Sequence, residues 1–187
     1  MTIGVLALQG DFARHQDVLH SLGCDVRQVR YRHDLDGLAG LIIPGGESTT
    51  ISKQIDRNGL REGIIALARE RPVMGTCAGL ILMARESADD RITGLNLLDV
   101  AVTRNSWGRQ IHSFTTPLEM RVNGQREMVP AVFIRAPRIQ QLGSGVEVLA
   151  EIENEPVLVR QGPHLGATFH PELTADTRIH KLFLEAH

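Results

Sequence analysis

The segment that most constrains this chain is residues 72–81, in which a cysteine lies between two glycines. Val73 and Met74 have the apolar character of a buried strand, and an apolar helix is predicted to begin near Ala78. A strand, a sharp Gly-x-Cys-x-Gly turn and a helix in direct succession are the pattern of a nucleophile elbow, with Cys77 where many elbows have serine. The segment therefore predicts an α/β fold with a reactive thiol at the carboxyl edge of its sheet.

The turn around Cys77 has the features that such a thiol needs. A residue at an elbow has a strained backbone, and Gly75 and Gly79 allow neighbouring backbone to approach without a Cβ clash. The N–H groups at the start of the following helix stabilise negative charge, and the N–H of Ala78 is the nearest of them. A lone cysteine also packs frequently as a small buried hydrophobe, so this segment alone leaves both interpretations open.

The first half of the chain alternates between short apolar runs and segments of helical periodicity. Strands are predicted at residues 3–8, 24–29, 41–43 and 73–74, and helices at residues 12–22 and 51–69, the latter with a break near residues 58–59. A short turn or helix is predicted at residues 34–38. Successive β-α units of this kind predict a parallel sheet with helices on both faces.

From about Asp89 onward the pattern changes to strands separated by short polar connections. The strand candidates are residues 97–102, 111–118, 129–134, 146–152, 156–161 and 165–169, and an amphipathic helix is predicted at residues 178–185. Part of this half is therefore predicted to be antiparallel. The predicted fold class is α/β, a doubly wound, flavodoxin-like mixed and mostly parallel sheet with helices on both faces, in a single domain over residues 1–187.

Bulk composition argues against several classes of function. With 42% hydrophobic and 22% charged residues and a net charge of −2, the chain is typical of soluble globular proteins, and its charge predicts neither nucleic acid nor a membrane as partner. The apolar run at residues 3–8 lacks a basic leader and is too short for a signal peptide or a membrane span. Cys24 and Cys77 form no Cys-x-x-Cys pair, so neither a disulfide framework nor zinc is expected, and a reducing, cytoplasmic location fits.

A catalytic thiol needs a base and the base needs an orienting partner, and His170-Pro171-Glu172 offers both after the predicted strand at residues 165–169. Pro171 is expected to enforce an extended link, so that Glu172 accepts a proton from one imidazole nitrogen while the other faces Cys77. Taken singly, His170 would be an exposed strand end and Glu172 a helix N-terminal acid; together they favour a triad. The remaining histidines show no metal-ligand spacing, so no metal or cofactor is expected, and they are interpreted as surface or packing residues: His15, His20, His33, His112, His164, His180 and His187.

The loop Pro44-Gly45-Gly46-Glu47-Ser48 follows the third predicted strand and is expected beside the elbow at the same sheet edge. Its glycines allow the N–H of Gly46 to act with the N–H of Ala78 as an oxyanion hole. A phosphate cradle is the competing interpretation. The loop lacks the P-loop lysine and has Glu47 where a phosphate would lie, so the oxyanion interpretation is preferred.

Segments spread over nearly the whole chain carry a resemblance to a known family. They are Val5-Leu6-Ala7-Leu8-Gln9-Gly10, Leu41-Ile42-Ile43-Pro44-Gly45-Gly46-Glu47-Ser48-Thr49-Thr50, Gly75-Thr76-Cys77-Ala78-Gly79-Leu80, Arg104-Asn105-Ser106-Trp107-Gly108-Arg109-Gln110, Val132-Phe133-Ile134-Arg135-Ala136-Pro137 and Phe169-His170-Pro171-Glu172-Leu173-Thr174. Together they resemble the glutaminase subunits of two-component pyridoxal 5′-phosphate synthases, which are class I (triad) glutamine amidotransferases. Trp107 stands where many relatives have Phe, and no functional conclusion follows from that exchange.

The resemblance implies hydrolysis of L-glutamine to L-glutamate and ammonia, for pyridoxal 5′-phosphate (vitamin B6) biosynthesis. It implies Cys77 as nucleophile, with His170 and Glu172 completing the triad. The implied glutamine site consists of Gly46, Glu47, Ser48, Arg104, Ile134 and Arg135. The implied partner is a TIM-barrel synthase subunit in a large hetero-oligomer, which uses the ammonia with a pentose phosphate and a triose phosphate, and its docking is implied to set the oxyanion loop near Gln9-Gly10.

The residues themselves leave some alternatives open. Arg104 suits a substrate α-carboxylate and Glu47 an α-ammonium group, because charge-assisted hydrogen bonds select both ends. Equally, Arg104 could be a solvated strand end, and Arg135 could pair with a surface acid. Two other functions are compatible with the motifs: a thiol hydrolase of γ-glutamyl compounds that acts alone, and a non-catalytic flavodoxin-like binding module in which Cys77 is structural.

Overall fold

The computed structural model describes residues 1–104 and 113–186. In chain order its strands are β1 (Thr2–Leu6), β2 (Asp25–Val29), β3 (Gly40–Ile43), β4 (Val73–Thr76), β5 (Ala84–Ser87), β6 (Leu98–Thr103), β7 (Ser113–Val122), β8 (Gln125–Ile134), β9 (Arg138–Leu142), β10 (Glu147–Ile152), β11 (Glu155–Gln161) and β12 (His164–Ala167). Its α-helices are α1 (Phe12–Ser21), α2 (Ser48–Arg57), α3 (Arg61–Ala68), α4 (Ala78–Met83) and α5 (Arg178–Leu184). Short 3₁₀ helices lie at Arg32–Leu35 and Pro171–Leu173.

The main sheet has nine strands in the order β2-β1-β3-β4-β12-β11-β10-β7-β8. From β2 to β12 all neighbours are parallel. From β12 to β8 all neighbours are antiparallel. The parallel half has the 2-1-3-4-5 strand order of flavodoxin-like folds, with β12 as its fifth strand. The predicted doubly wound mixed sheet is confirmed, as is the change to antiparallel pairing in the second half.

The apolar residues of the central strands divide between the two faces of the sheet. Leu41 and Ile43 belong to the buried cluster that includes residues of α2, α3 and α4. Ile42, between them, belongs to the opposite cluster, which includes residues of α1 and α5. Successive side chains of a strand point to opposite faces, so a strand that is apolar throughout must be covered on both sides. This arrangement confirms the predicted helices on both faces.

A second, three-stranded sheet of order β5-β6-β9 was not predicted. The sequence of β5 is Ala-Arg-Glu-Ser, which has no apolar alternation to indicate a strand, and its pairing with β6 contains a register shift. The strand predicted at residues 111–118 begins outside the described residues, and β7 extends from Ser113 to Val122. Segment 105–110, which includes Trp107, also lies outside the described part of the chain.

In residues 1–104 and 113–186, no helix combines the length and the apolar character that a membrane crossing requires. The single domain over residues 1–187 stays a prediction.

Candidate active site

The elbow of Cys77 is built by the close approach of three neighbouring segments. Cys77 follows β4 directly and has φ 49° and ψ −105°, a left-handed conformation that residues with a Cβ rarely adopt. A Cβ on Gly79 would overlap the carbonyl oxygen of Ile43 in the adjacent strand, and one on Gly75 would lie 2.6 Å from the carbonyl carbon of Gly79. The strained turn and the need for both glycines agree with the nucleophile-elbow prediction.

His170 and Glu172 come to the same sheet edge because β12 lies beside β4. Residues 165–167 of β12 pair in register with residues 74–76 of β4, so His170 and Cys77 follow adjacent parallel strands. His170 Nδ1 lies 2.6 Å from Glu172 Oε1, and each of the two residues is only 4% exposed. Burial lowers the pKa of His170, but hydrogen bonds with Cys77 and Glu172 outweigh it and raise the pKa above its ordinary value. The three predicted triad residues therefore lie together at this sheet edge, with His170 bonded to Glu172 and lining the same pocket as Cys77.

The predicted extended link between His170 and Glu172 is wrong. Pro171 begins the 3₁₀ helix Pro171–Leu173, and the N–H of Leu173 donates to the carbonyl oxygen of His170 over 3.3 Å. The fixed φ of proline suits the first position of a helix as well as an extended chain, which is why the residue type alone did not decide. Glu172 therefore reaches back to His170 through a tight turn.

The glycine loop lies directly against the thiol and the imidazole. A Cβ on Gly45 would be 2.5 Å from His170 Cε1 and 3.5 Å from Cys77 Cβ. The carbonyl oxygen of Gly45 accepts a hydrogen bond from the N–H of Asp11 over 3.3 Å. Because the peptide is planar and trans, the N–H of Gly46 points in the opposite direction, away from Asp11. The N–H of Glu47 donates to Gln9 Oε1 over 2.7 Å, so residues 9–11 hold this loop from the other side.

A chain of charges lies beside the loop. Arg104 contacts Glu47 Oε1 through Nη2 at 3.2 Å and donates to Asp89 Oδ2 through Nη1 at 2.8 Å. Burial raises the pKa of Glu47, but hydrogen bonds from Thr49 and Thr50 outweigh this effect and lower that pKa to about 2. Hydrogen bonds from Arg91 and Arg104 likewise lower the pKa of Asp89. Glu47 and Asp89 are therefore ionised at neutral pH, and Arg104 has an anionic partner on each side.

These groups surround a pocket of about 320 Å³, at the lower end of the roughly 300–1,000 Å³ usual for small-molecule sites. The sequence-predicted residues that line it are Gly46, Glu47, Ser48, Cys77, Ala78, Arg104, Ile134, Arg135 and His170. Glu172 lies behind His170 and is not part of the lining. The lining also includes four residues that were not predicted as site residues: Gln9, Gly10, Asp11 and Ile81. Cys77 is 9% exposed and faces this pocket, so its sulfur is not sealed in the core.

Two other features near the sheet have some of the properties of a site: a cluster of ligand atoms and a second cleft. Ligand atoms of Asp11, His170 and Glu172 lie within 4.8 Å of one another, as in some metal sites. His170 Nδ1 and Glu172 Oε1 already bind each other there, so we assign this cluster to the triad. A cleft of about 460 Å³ between β7 and β10 is larger than the pocket, but its lining includes neither cysteine nor histidine.

Two histidines that were interpreted from the sequence as surface or packing residues are buried, and one of them, His15, contacts Glu172. His15 in α1 and His180 in α5 are both fully buried and lie side by side behind Glu172. The helical pattern contained a signal, because His15 is three residues after Phe12 and four before Leu19 and thus lies on the apolar face of α1. His180 likewise lies between the buried residues Ile179 and Phe183. Only the tertiary contact between two helices far apart in sequence shows that they meet.

The strand order, the cysteine elbow and the His–Glu pair agree with the fold of class I glutamine amidotransferases. A solved structure described as a glutamine amidotransferase superposes with a TM-score of 0.92 at 46% identity, covering 98% of this chain and 97% of that one. PurLQS from Thermotoga maritima shares the fold, with a TM-score of 0.71 at 17% identity over 99% of this chain and 95% of that chain.

Within that class the family is also determined. The chain belongs to the SNO glutamine amidotransferase family, whose model matches residues 5–187. A similar protein is the pyridoxal 5′-phosphate synthase subunit PdxT of Thermoplasma volcanium, 47% identical over 98% of this chain and 94% of the relative. The protein of the same name from Koribacter versatilis is 50% identical over 99% of this chain and 95% of the relative.

Proposed function

We propose that this protein is the glutaminase subunit of a pyridoxal 5′-phosphate synthase. It hydrolyses L-glutamine to L-glutamate and ammonia through Cys77, His170 and Glu172, and it delivers the ammonia to a synthase subunit. The observation that carries the proposal is the buried His170–Glu172 pair, joined at 2.6 Å, beside a cysteine held at φ 49° in the wall of a pocket. The family and the names of the relatives support the substrate and the pathway.

The charges of the pocket suit the two ends of an amino acid. Arg104 offers a guanidinium for the α-carboxylate, and Glu47 offers a carboxylate for the α-ammonium group. The two side chains contact each other at 3.2 Å in the free protein. When glutamine binds, two new ion pairs replace this one: Arg104 with the α-carboxylate and Glu47 with the α-ammonium group. Each charged side chain therefore keeps an oppositely charged partner. Ser48, Ile134 and Arg135 complete the pocket wall.

The first half of the reaction uses the thiolate of Cys77 and the imidazolium of His170. The thiolate attacks the carbon of the side-chain amide, and the carbonyl oxygen becomes an oxyanion bound by the N–H groups of Gly46 and Ala78. The C–N bond then breaks as His170 gives its proton to the nitrogen. Ammonia departs, and the γ-glutamyl group stays bound to Cys77 as a thioester. The raised pKa of His170 keeps the required proton in place at neutral pH.

The second half reverses the role of His170. Its neutral imidazole takes a proton from water, which attacks the thioester, and the C–S bond breaks to release L-glutamate and restore the thiolate. Glu172 holds His170 in one orientation throughout, through the bond between Oε1 and Nδ1. Free cysteine thiols fit a reducing, cytoplasmic location, which is part of the proposal.

The partner is proposed to be a TIM-barrel synthase subunit in a large hetero-oligomer. The Gly45–Gly46 peptide is one oxyanion donor, and its orientation depends on contacts with Gln9 and Asp11 at the protein surface. Loss of one such donor costs about 10² to 10³ in rate, so a partner that fixes this loop controls the reaction.

Ammonia release tests the proposal directly. The purified chain is assayed with L-glutamine, alone and with the synthase subunit of the same organism, as wild type and as Cys77→Ala. We expect turnover that rises strongly on addition of the synthase subunit and disappears in Cys77→Ala. Full activity of the chain alone would favour the γ-glutamyl hydrolase that acts alone, and no turnover under any condition would favour the binding module. The buried thiol Cys24→Ala is the matched control and should retain activity.

A further inference from the structure

A line of buried polar groups continues from Glu172 away from the pocket. His15 Nε2 lies 3.4 Å from Glu172 Oε2 and 3.2 Å from the hydroxyl oxygen of Thr76. On its other side, His15 Nδ1 lies 3.0 Å from His180 Nε2. His15, Thr76 and His180 are each 0% exposed. Solvent therefore cannot supply the partners of these groups. His180 Nδ1 has no hydrogen-bond partner among the described residues, and the other nitrogens of the two rings face the groups just named.

The charge states and the direction of the protons follow from this burial. Burial lowers the pKa of His15, with His180 and His170 adding to the effect, and burial also lowers the pKa of His180. Both rings are thus neutral at pH 7, and only one proton lies between His15 and His180. If His180 Nε2 donates it to His15 Nδ1, then His15 Nε2 carries its own proton and points it at Glu172 and Thr76. The opposite arrangement would place a nitrogen lone pair against a carboxylate, so the first one is favoured.

We propose that His15 and His180 are positioning residues of the glutaminase triad. His15 gives its Nε2–H to the region between Glu172 Oε2 and the Thr76 hydroxyl, and His180 fixes the tautomer in which this proton is present. The proposal rests on the proposed function, since it assigns to Glu172 the task of orienting His170. In this role His15 and His180 act as hydrogen-bond donors behind the triad and hold the carboxylate of Glu172 in one rotamer.

Two observations favour this role over simple packing. Glu172 Oε1 is bonded to His170, whereas Oε2 has no hydrogen bond of its own within residues 1–104 and 113–186. In the proposal, the Nε2–H of His15, 3.4 Å from Oε2, is the group that limits rotation of the carboxylate away from His170 Nδ1. Thr76 is the last residue of β4 and the neighbour of Cys77, so the shared proton also ties the acid to the strand that carries the nucleophile.

The location of His15 makes a kinetic prediction. His15 and His180 do not belong to the pocket lining, so they do not contact the proposed substrate. Their loss should lower kcat and leave KM for glutamine within about twofold, because only the orientation of His170 changes. Base catalysis as a whole contributes about 10²- to 10⁴-fold, and loss of its orientation should forfeit about tenfold or more.

The experiment compares two substitutions at one position, in the complex with the synthase subunit. His15→Leu removes the donor but keeps an apolar volume, whereas His15→Gln retains an N–H near the position of Nε2. We expect kcat to fall about tenfold or more in His15→Leu and to stay within about threefold of wild type in His15→Gln. His20→Leu makes the same change on the exposed side of α1 and should leave kcat unchanged. His180→Leu should give an intermediate loss of kcat, since the tautomer is then no longer fixed.

Further measurements separate the possible failures. Thermal unfolding identifies any variant that does not fold. If His15→Leu does not, the decision falls to His180→Leu and to the low-field proton resonance of His170 Nδ1–H, which should broaden or shift relative to wild type. A folded His15→Leu with wild-type kcat overturns the proposal, and so do equal losses in the Leu and Gln variants. Glu172→Gln is measured in parallel: if it keeps full activity, the triad itself is wrong, whereas a loss there with wild-type kcat in His15→Leu refutes only this inference.

Discussion

At the scale of single residues, the elbow depends on the absence of a Cβ atom at Gly75 and at Gly79. Gly79 has no Cβ, and one added there would overlap the carbonyl oxygen of Ile43. Strain at Cys77 is tolerated because β3, β4 and α4 hold the turn from both sides. Any side chain at Gly79 must therefore displace either the first turn of α4 or the end of β3, and both carry the reacting groups.

Gly79→Ala should therefore lower both stability and turnover. We expect a loss of about 1–3 kcal/mol in the free energy of unfolding, from overpacking against backbone. We also expect a fall in kcat on the order of 10²-fold, from displacement of the thiol. Urea denaturation and ammonia release measure the two effects. Gly145→Ala is the control, because a Cβ there would meet only Gln161 Nε2, at 3.5 Å; equal effects of both substitutions would contradict the explanation.

A second prediction at this scale concerns the position of Arg104. Asp89 accepts a hydrogen bond from Arg104 Nη1 at 2.8 Å, which leaves Nη2 turned toward Glu47. Asp89→Asn removes the negative charge and weakens this hold, so KM for glutamine should rise about twofold to fivefold with kcat nearly unchanged. Steady-state kinetics measure KM and kcat separately and so check this prediction. Asp90→Asn removes a neighbouring exposed charge and should not raise KM; if both variants raise it equally, bulk charge is responsible instead.

At the scale of elements, the contact between α1 and α5 should make stability depend on pH. Burial lowers the pKa of His180 from 6.5 to about 4. The unfolded state therefore binds more protons than the folded state between these values, so stability is fully present above pH 6.5 and is lost as pH falls toward 4. The loss should be on the order of 3 kcal/mol. The raised pKa of His170 acts in the other direction, with stability lost as pH rises.

Denaturation of wild type and His180→Leu over this pH range measures the effect. The free energy of unfolding of wild type should fall as pH decreases from 6.5 to 4, and that of the variant should fall less. Glu47 does not cause a change between pH 6.5 and 4.5. Its pKa is lowered from 4.5 to about 2, so its contribution to the free energy of unfolding is lost only as pH falls below 4.5. Identical curves for the two proteins would show that His180 is not the titrating group.

The elements also show where sequence reasoning succeeds and where it ends. The parallel half was predictable because its central strands β1 and β3 are short, almost entirely apolar runs. The elbow was predictable because Gly75 and Gly79 are the residue type that a tight strand-to-helix turn requires. β5 was missed since its Arg85 and Glu86 are exposed and its pairing is irregular. His15 and His180 were interpreted as surface or packing residues. Their contact with each other joins residues 165 positions apart, and His15 also contacts Glu172, which no local pattern records.

At the scale of the whole molecule, the two halves of the main sheet meet at the site. The parallel series that begins with β2 ends with β12, which pairs on its other side with β11, the first of the antiparallel strands. Cys77 follows β4 and His170 follows β12, so the triad lies at the strand where the two halves join. Because β12 pairs with β4 on one side and with β11 on the other, the position of His170 depends on both halves, and the sheet passes between them without a break.

We therefore expect the two halves to unfold in one cooperative transition, as the predicted single domain requires. Hydrogen exchange in increasing urea, read by mass spectrometry, follows β1 to β4 and β7 to β11 separately, and their midpoints should coincide. Leu41→Ala in the parallel half and Leu158→Ala in the antiparallel half each remove a fully buried side chain, and each should cost about 2–5 kcal/mol. Because the sheet is continuous, either substitution should lower the midpoint of both halves by the same amount. A shift confined to the half that carries the substitution would mean that the chain folds as two units, and the triad would then depend on their docking.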